Sequence, residues 1–133
     1  MDTSVRLSLP PAAAAAAVAR QLLRQRCSSL PGPELDDALL LVTELVANAV
    51  RHGEGPVTLA LTRDHGRLRV EVTDASPRRP QPRDRGVEAE SGRGLQIVDV
   101  LATRWGSEPA GSAGKTVWFE LDTHPVSHDA LVM

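Results

Sequence analysis

The sequence predicts an α+β two-layer sandwich: a mixed, mainly antiparallel sheet with helices on one face. Three observations lead there. Alternating apolar and polar segments come in pairs joined by short turn sequences, the signature of antiparallel neighbours. Helical patterns separate these pairs instead of following every strand, which argues against a doubly wound parallel sheet. The length, 133 residues with 41% hydrophobic and 24% charged side chains, suits one domain with one core. Residues 1–122 are therefore read as a single domain, and 123–133 as a flexible tail.

The elements follow in order. Ser4 to Leu9 alternates, with Val5, Leu7 and Leu9 on one side, and reads as a short strand. Pro10-Pro11 ends it and can open a helix. Ala12 to Cys27 is alanine-rich, and alanine has the highest helix propensity. Ser28 to Pro33 reads as a loop. Glu34 to His52 is the strongest helix: Leu35, Ala38, Leu39, Val42, Leu45, Val46 and Ala49 recur at helical spacing, and Gly53 and Gly55 stop it. Val57 to Arg63 and Arg67 to Asp74 alternate on either side of the turn Asp64-His65-Gly66, a predicted hairpin.

Residues 75–91 show no periodicity and are rich in Pro and Arg. So long a structureless connection marks a functional loop or disorder. Gly92-Arg93-Gly94 then opens a helix that runs to about Leu101. Thr103 to Ser107 reads as a short strand, Pro109 to Gly114 as a turn, and Thr116 to Leu121 as a last strand with Val117, Phe119 and Leu121 on one face.

Composition excludes several functions. Aromatic residues are 2%, namely Trp105, Trp118 and Phe119, too few for a base-stacking platform for single-stranded nucleic acid. A formal net charge of -2 gives no global attraction to nucleic acid or to a membrane. Cys27 is the one cysteine, which precludes an internal disulfide or a thiolate zinc cluster and fits a reducing, cytoplasmic setting. No apolar run reaches the roughly 20 residues that span a bilayer. Leu7 to Ala19 is apolar, but Asp2, the Pro10-Pro11 break and the following Arg20, Arg24 and Arg26 do not form a secretory signal. His124 and His128 lie in the tail without further ligands beside them, so no zinc site is expected there.

Four features bear chemistry. Glu44 and Asn48 lie four apart on the long helix and share a face, away from the Val42, Leu45, Ala49 stripe. They are either a solvated polar face or a carboxylate base beside an amide oxygen able to hold Mg²⁺, and periodicity does not separate the two. Asp74 shares strand parity with Leu68, Val70 and Val72, so a carboxylate ends a core-facing row. It must reach solvent at the rim, bond to protein, or accept a donor from a ligand such as the exocyclic amine of adenine. Gly92-Arg93-Gly94-Leu95 places two glycines at a helix entrance, either a hinge or a site of close backbone approach to phosphate, with Arg93 and Lys115 as further phosphate partners. Gly114-Lys115-Thr116 opens the last strand.

In this order and spacing the four features resemble the GHKL ATPase and kinase superfamily. Glu44-Leu-Val-Ala-Asn48-Ala49-Val50-Arg51-His52 resembles its N box. Asp74 resembles the aspartate of its first glycine box, Gly92-Arg93-Gly94-Leu95 its second, and Gly114-Lys115-Thr116 its final Gly-Thr element. Within the superfamily the chain looks like the small bacterial proteins related to anti-sigma-factor serine/threonine kinases. The resemblance implies the Bergerat ATP-binding fold, with residues 75–91 as a lid over ATP. It implies Glu44 as the catalytic residue that polarises the attacking hydroxyl or water, and Asn48 as the Mg²⁺ ligand. Asp74 would accept the adenine amine, with a water shared by Thr116, while Gly92, Arg93, Gly94 and Leu95 would meet the phosphates. The implied partners are an anti-sigma-factor antagonist or a sigma factor, with a homodimer as the assembly and no direct contact with nucleic acid or membrane. One departure stands out. The first glycine box normally reads Asp-x-Gly-x-Gly, and here it is Asp74-Ala75-Ser76-Pro77-Arg78. A nucleotide-gated protein-binding module with little or no kinase activity is therefore the second expectation.

Overall fold

The computed structural model describes residues 3–52, 54–64, 66–76, 96–111 and 114–123. Strand β1 (Thr3–Ser8) leads into helices α1 (Ala14–Arg26) and α2 (Gly32–His52). Strands β2 (Thr58–Asp64) and β3 (Arg67–Asp74) follow. Residues 96–101 are helical, and β4 (Arg104–Ala110) and β5 (Gly114–Asp122) complete the chain. The five strands form one sheet in the order β1-β2-β3-β5-β4. Every pairing among them is antiparallel, so the described sheet is not mixed.

Alternation decides which face is covered. Leu59 and Leu61 of β2, Leu68, Val70 and Val72 of β3, and Val117, Phe119 and Leu121 of β5 are all buried. They stand on one face because side chains on a strand alternate. Register aligns them across the sheet, with Val70 opposite Phe119 and Val72 opposite Val117. Helix α2 packs on β3 and β5 through Ala38, Leu41, Val42, Leu45, Val46 and Ala49, the stripe that its periodicity requires. Helix α1 packs on α2 with Ala15, Ala19 and Leu23 buried, and Arg20 donates to the Thr43 hydroxyl across the two helices at 3.3 Å.

Several boundaries differ from the sequence expectation, among them the start of α2, which is Gly32 and not Glu34. Helix α1 starts at Ala14 and not at Ala12, because Ala12 takes a left-handed φ of 60° that no helix continues through. Strand β4 runs through Pro109 to Ala110, beyond the expected end at Ser107. Proline lacks the N–H that a central strand needs, but β4 is an edge strand paired only with β5, where one side of the backbone makes no ladder bonds. The β2–β3 hairpin forms as expected, with Gly66 at φ 72°, a conformation that favours glycine.

The other face of the sheet is a charge lattice. Arg69 donates to Glu71 and to Glu120, each at 2.8 Å, and its guanidinium lies 4.2 Å from the centre of the Trp118 ring. Arg104 donates to Glu120 at 2.7 Å and to Asp122 at 2.6 Å. Glu120 thus sits among three arginines, with Arg67 at 4.0 Å as the third. The Arg104 hydrogen bond, helped by Arg69 and Arg67 and opposed by partial burial, holds its carboxyl below the ordinary glutamate range. Its contribution to stability is complete above the unfolded-state value of about 4.3 and is lost as pH falls through the lower folded-state value. Glu120→Gln is therefore expected to flatten the acid limb of the stability curve, measured as urea midpoints between pH 6 and pH 2.

Candidate functional site

The candidate residues lie in the middle of α2 and at the ends of β3 and β5, the two strands on which α2 packs. Glu44 and Asn48 are both half-buried, one helical turn apart, between the core stripe and the exposed side of α2. Among the described residues, neither side chain has a hydrogen-bond or ion-pair partner. They are thus polar side chains left available beside the apolar stripe of α2. Leu40 continues their line one turn earlier and is 41% exposed. Together with Gln96, Ile97, Val100 and Leu101 it lines an apolar groove between α2 and helical residues 96–101. The segment 96–101 is tied back by Trp105, whose indole N–H donates to Asp99 at 2.9 Å.

Asp74 ends β3 on the core face, where its row of Leu68, Val70 and Val72 predicted it. Its side chain is only 1% exposed. Of the three fates open to a carboxylate there, the structure shows the second: it is bonded to protein. Lys115 stands directly across the ladder from it and places Nζ 3.1 Å from Oδ1 and 3.0 Å from Oδ2. The backbone N–H of Ser76 donates to Oδ1 at 2.7 Å. The lysine side chain is itself 5% exposed. The expectation of Lys115 as a phosphate partner thus meets a side chain already committed to Asp74.

Thr116 departs from expectation for the same geometric reason. It is paired with Thr73, not with Asp74, and so lies on the opposite face of the sheet. Its hydroxyl is 2.7 Å from that of Thr73. A water shared between Asp74 and Thr116 does not fit this register. The parity of Val117, Phe119 and Leu121 contains the signal: Lys115 shares it, and Thr116 does not.

Gly114 is required by close approach. A Cβ at this position would lie 2.5 Å from the Asp74 carbonyl oxygen and 3.0 Å from that of Ala110. Both obstacles are backbone, so β5 would have to move away from β3 at the site. Gly114→Ala is expected to cost about 1–3 kcal/mol, read as a lowered urea midpoint at unchanged slope.

Gly92, Arg93, Gly94 and Leu95 lie outside the described residues, as does the proposed lid beyond Ser76. His124 and His128 lie outside them too. Among the described residues no group of three or more His, Cys, Asp or Glu side chains could hold a metal ion. Magnesium takes one or two protein oxygens and completes its shell with water and phosphate. Asn48 fits such a ligand. On the base side the donor set fits less directly, since the carboxylate is already engaged by an ammonium. No helix among the described residues is long and apolar enough to cross a membrane.

An antiparallel sheet backed by helices, a Glu–Asn pair on the covering helix and a buried aspartate at the adjoining strand end define the GHKL class of ATP-binding sandwich. The family model described as the histidine kinase-like ATPase domain matches residues 8–121, and the chain belongs to that family. Family membership implies ATP as the nucleotide. The chain is 45% identical over 75 residues to an uncharacterized protein of Streptomyces coelicolor, a match covering 53% of this chain and 71% of the relative. Its fold is similar to that of a chain in the crystal structure of the SiaB-SiaC complex from Pseudomonas aeruginosa. The TM-score is 0.58 at 15% identity, over 88% of each chain.

Proposed function

We propose that the protein is an ATP-dependent regulatory serine/threonine kinase of the anti-sigma-factor type, acting on an antagonist protein in the cytoplasm. The observation that carries this reading is the pair Glu44 and Asn48, half-buried on one helix face and without a protein partner among the described residues. Bound Mg-ATP would supply the γ-phosphoryl group. Glu44 accepts the proton of the attacking serine or threonine hydroxyl, which raises its nucleophilicity. The Asn48 side-chain oxygen would hold the Mg²⁺, and Asp74 would face the base. By the family resemblance, Gly92, Arg93, Gly94 and Leu95 would meet the phosphates. Catalysis of this kind depends mainly on positioning and charge stabilisation. A protein substrate accords with a fold neighbour seen in a protein complex.

The test is transfer of label from γ-labelled ATP to candidate antagonists carrying a serine or threonine. The expected result is a phosphorylated antagonist with the unaltered chain and none with Glu44→Ala or Asn48→Ala. Transfer that persists in both variants overturns the assignment.

The Asp74–Lys115 pair favours a second reading, a nucleotide-gated module that binds a sigma factor or its antagonist without turnover. Calorimetry with ATP, ADP and Mg²⁺, with the antagonist present as acceptor, separates the two: binding without phosphoryl transfer supports the module, and ADP formation matched by phosphorylated antagonist supports the kinase.

A further inference from the structure

Asp74 is the acceptor through which an adenine amine would be read, and in this structure its accepting capacity is largely filled. Lys115 reaches both carboxylate oxygens, at 3.0 and 3.1 Å, and the Ser76 N–H takes a further position on Oδ1 at 2.7 Å. With the carboxylate 1% and the lysine 5% exposed, no open face of either group is left for a base. Direct hydrogen bonding of a base to Asp74 must therefore compete with an ammonium that is already buried, charged and well placed. A primary amine on a neutral ring is a weaker donor than an ammonium, because charge-assisted hydrogen bonds are roughly twice as strong as neutral ones.

We propose that Lys115 is a specificity-determining residue of the nucleotide site, an internal competitor that holds Asp74 and lowers the affinity for free ATP. The proposal rests on the reading of the site as ATP-binding and adds to it a reason for weak binding that belongs to this chain. The ammonium occupies the carboxylate until the base displaces it, so the two states exchange one donor for another. Binding energy from the phosphate and metal side is spent in part on that exchange. A nucleotide held by phosphates alone leaves the pair intact, which makes Lys115 the element that links base recognition to occupancy.

The geometry also explains why the lysine stands beside Asp74. Lys115 emerges from β5 directly opposite Asp74, next to Gly114, where a Cβ would lie 2.5 Å from the Asp74 carbonyl oxygen. Strand register thus fixes the Cα of Lys115 beside its partner. Removing a charge from such a buried pair without replacement is unfavourable, so the ammonium leaves only when another donor arrives.

Two measurements test this. In the first, the unaltered chain and Lys115→Thr are titrated with a fluorescent ATP analogue in the presence of Mg²⁺. The threonine variant is expected to bind at least tenfold more tightly. Equal or weaker binding by a variant with a native circular dichroism spectrum overturns the proposal and leaves the ATP-binding reading intact. Binding by neither protein at millimolar analogue defeats the ATP-binding reading, and this proposal with it.

The second measurement needs no variant, which covers the case of a Lys115→Thr chain that does not fold. Lys115 is the only lysine in the sequence, so ¹⁵N-lysine labelling gives one side-chain ammonium resonance. It is expected to be visible and slowly exchanging in the free protein, and to shift or broaden into the water signal on saturation with Mg-ATP. A resonance that stays unchanged while the analogue titration shows the site to be full overturns the competition.

Discussion

Glu44→Gln is expected to lower phosphoryl transfer by roughly 10²–10⁴-fold, the range of a positioned general base, while leaving Mg-ATP affinity within a few-fold of the unaltered chain. The substitution keeps shape and removes only the basic oxygen. Glu44 is half-buried and has no protein partner among the described residues, so the change orphans no other group and the fold should hold. Asn48→Ala separates from it in the readout. Losing the metal ligand is expected to weaken binding of ATP with Mg²⁺ far more than binding without the metal. Single-turnover transfer and calorimetry with and without Mg²⁺ distinguish the two effects. An equal loss of binding in both variants would mean that Glu44 holds ligand and does not act on the hydroxyl.

The second large effect falls on stability. Asp74→Ala leaves the Lys115 ammonium buried with no counter-charge, and breaking one side of a buried pair costs about 3–5 kcal/mol. That is a substantial share of the roughly 5–15 kcal/mol that typical domains possess. The double variant Asp74→Ala with Lys115→Met removes both charges and is expected to regain most of the loss, because an apolar pair of similar volume needs no solvation. Urea unfolding of the two single variants and the double variant closes this cycle. A double variant no more stable than Asp74→Ala alone would show that the pair is not what the site depends on.

Much of the architecture was legible because the sequence is locally consistent. The stripe from Ala38 to Ala49 and the alternation of Arg67 to Asp74 each repeat one period without interruption, and both elements form where that period places them. Strand β4 was underestimated because Pro109 reads as a breaker until the edge position is known, and edge position is a property of the whole sheet. The start of α1 was misplaced because the left-handed φ of Ala12 has no local signal in a run of alanines.

The site divides in the same way. Asp74 was located by parity alone, and its buried end position follows from β3. What holds it was not foreseen, since the Lys115 contact spans 41 positions in sequence and depends on the β3–β5 register. The same register moves Thr116 to the far face. Glu44 and Asn48 carried too little pattern to separate function from an ordinary polar face. Their significance comes from the family match and from the absence of partners among the described residues.

The hydrogen bond from Trp105 to Asp99 has an optical consequence. The sequence has no tyrosine and two tryptophans, so near-ultraviolet absorption and emission come from those two indoles. Trp118 lies on the charged outer face under Arg69. Trp105 is fastened to the helical residues that wall the groove beside α2. The protein thus carries one intrinsic chromophore on each side of its sheet. With Trp118→Phe the remaining emission reports the groove side alone, so any rearrangement of residues 96–101 on ligand binding is visible without an added dye.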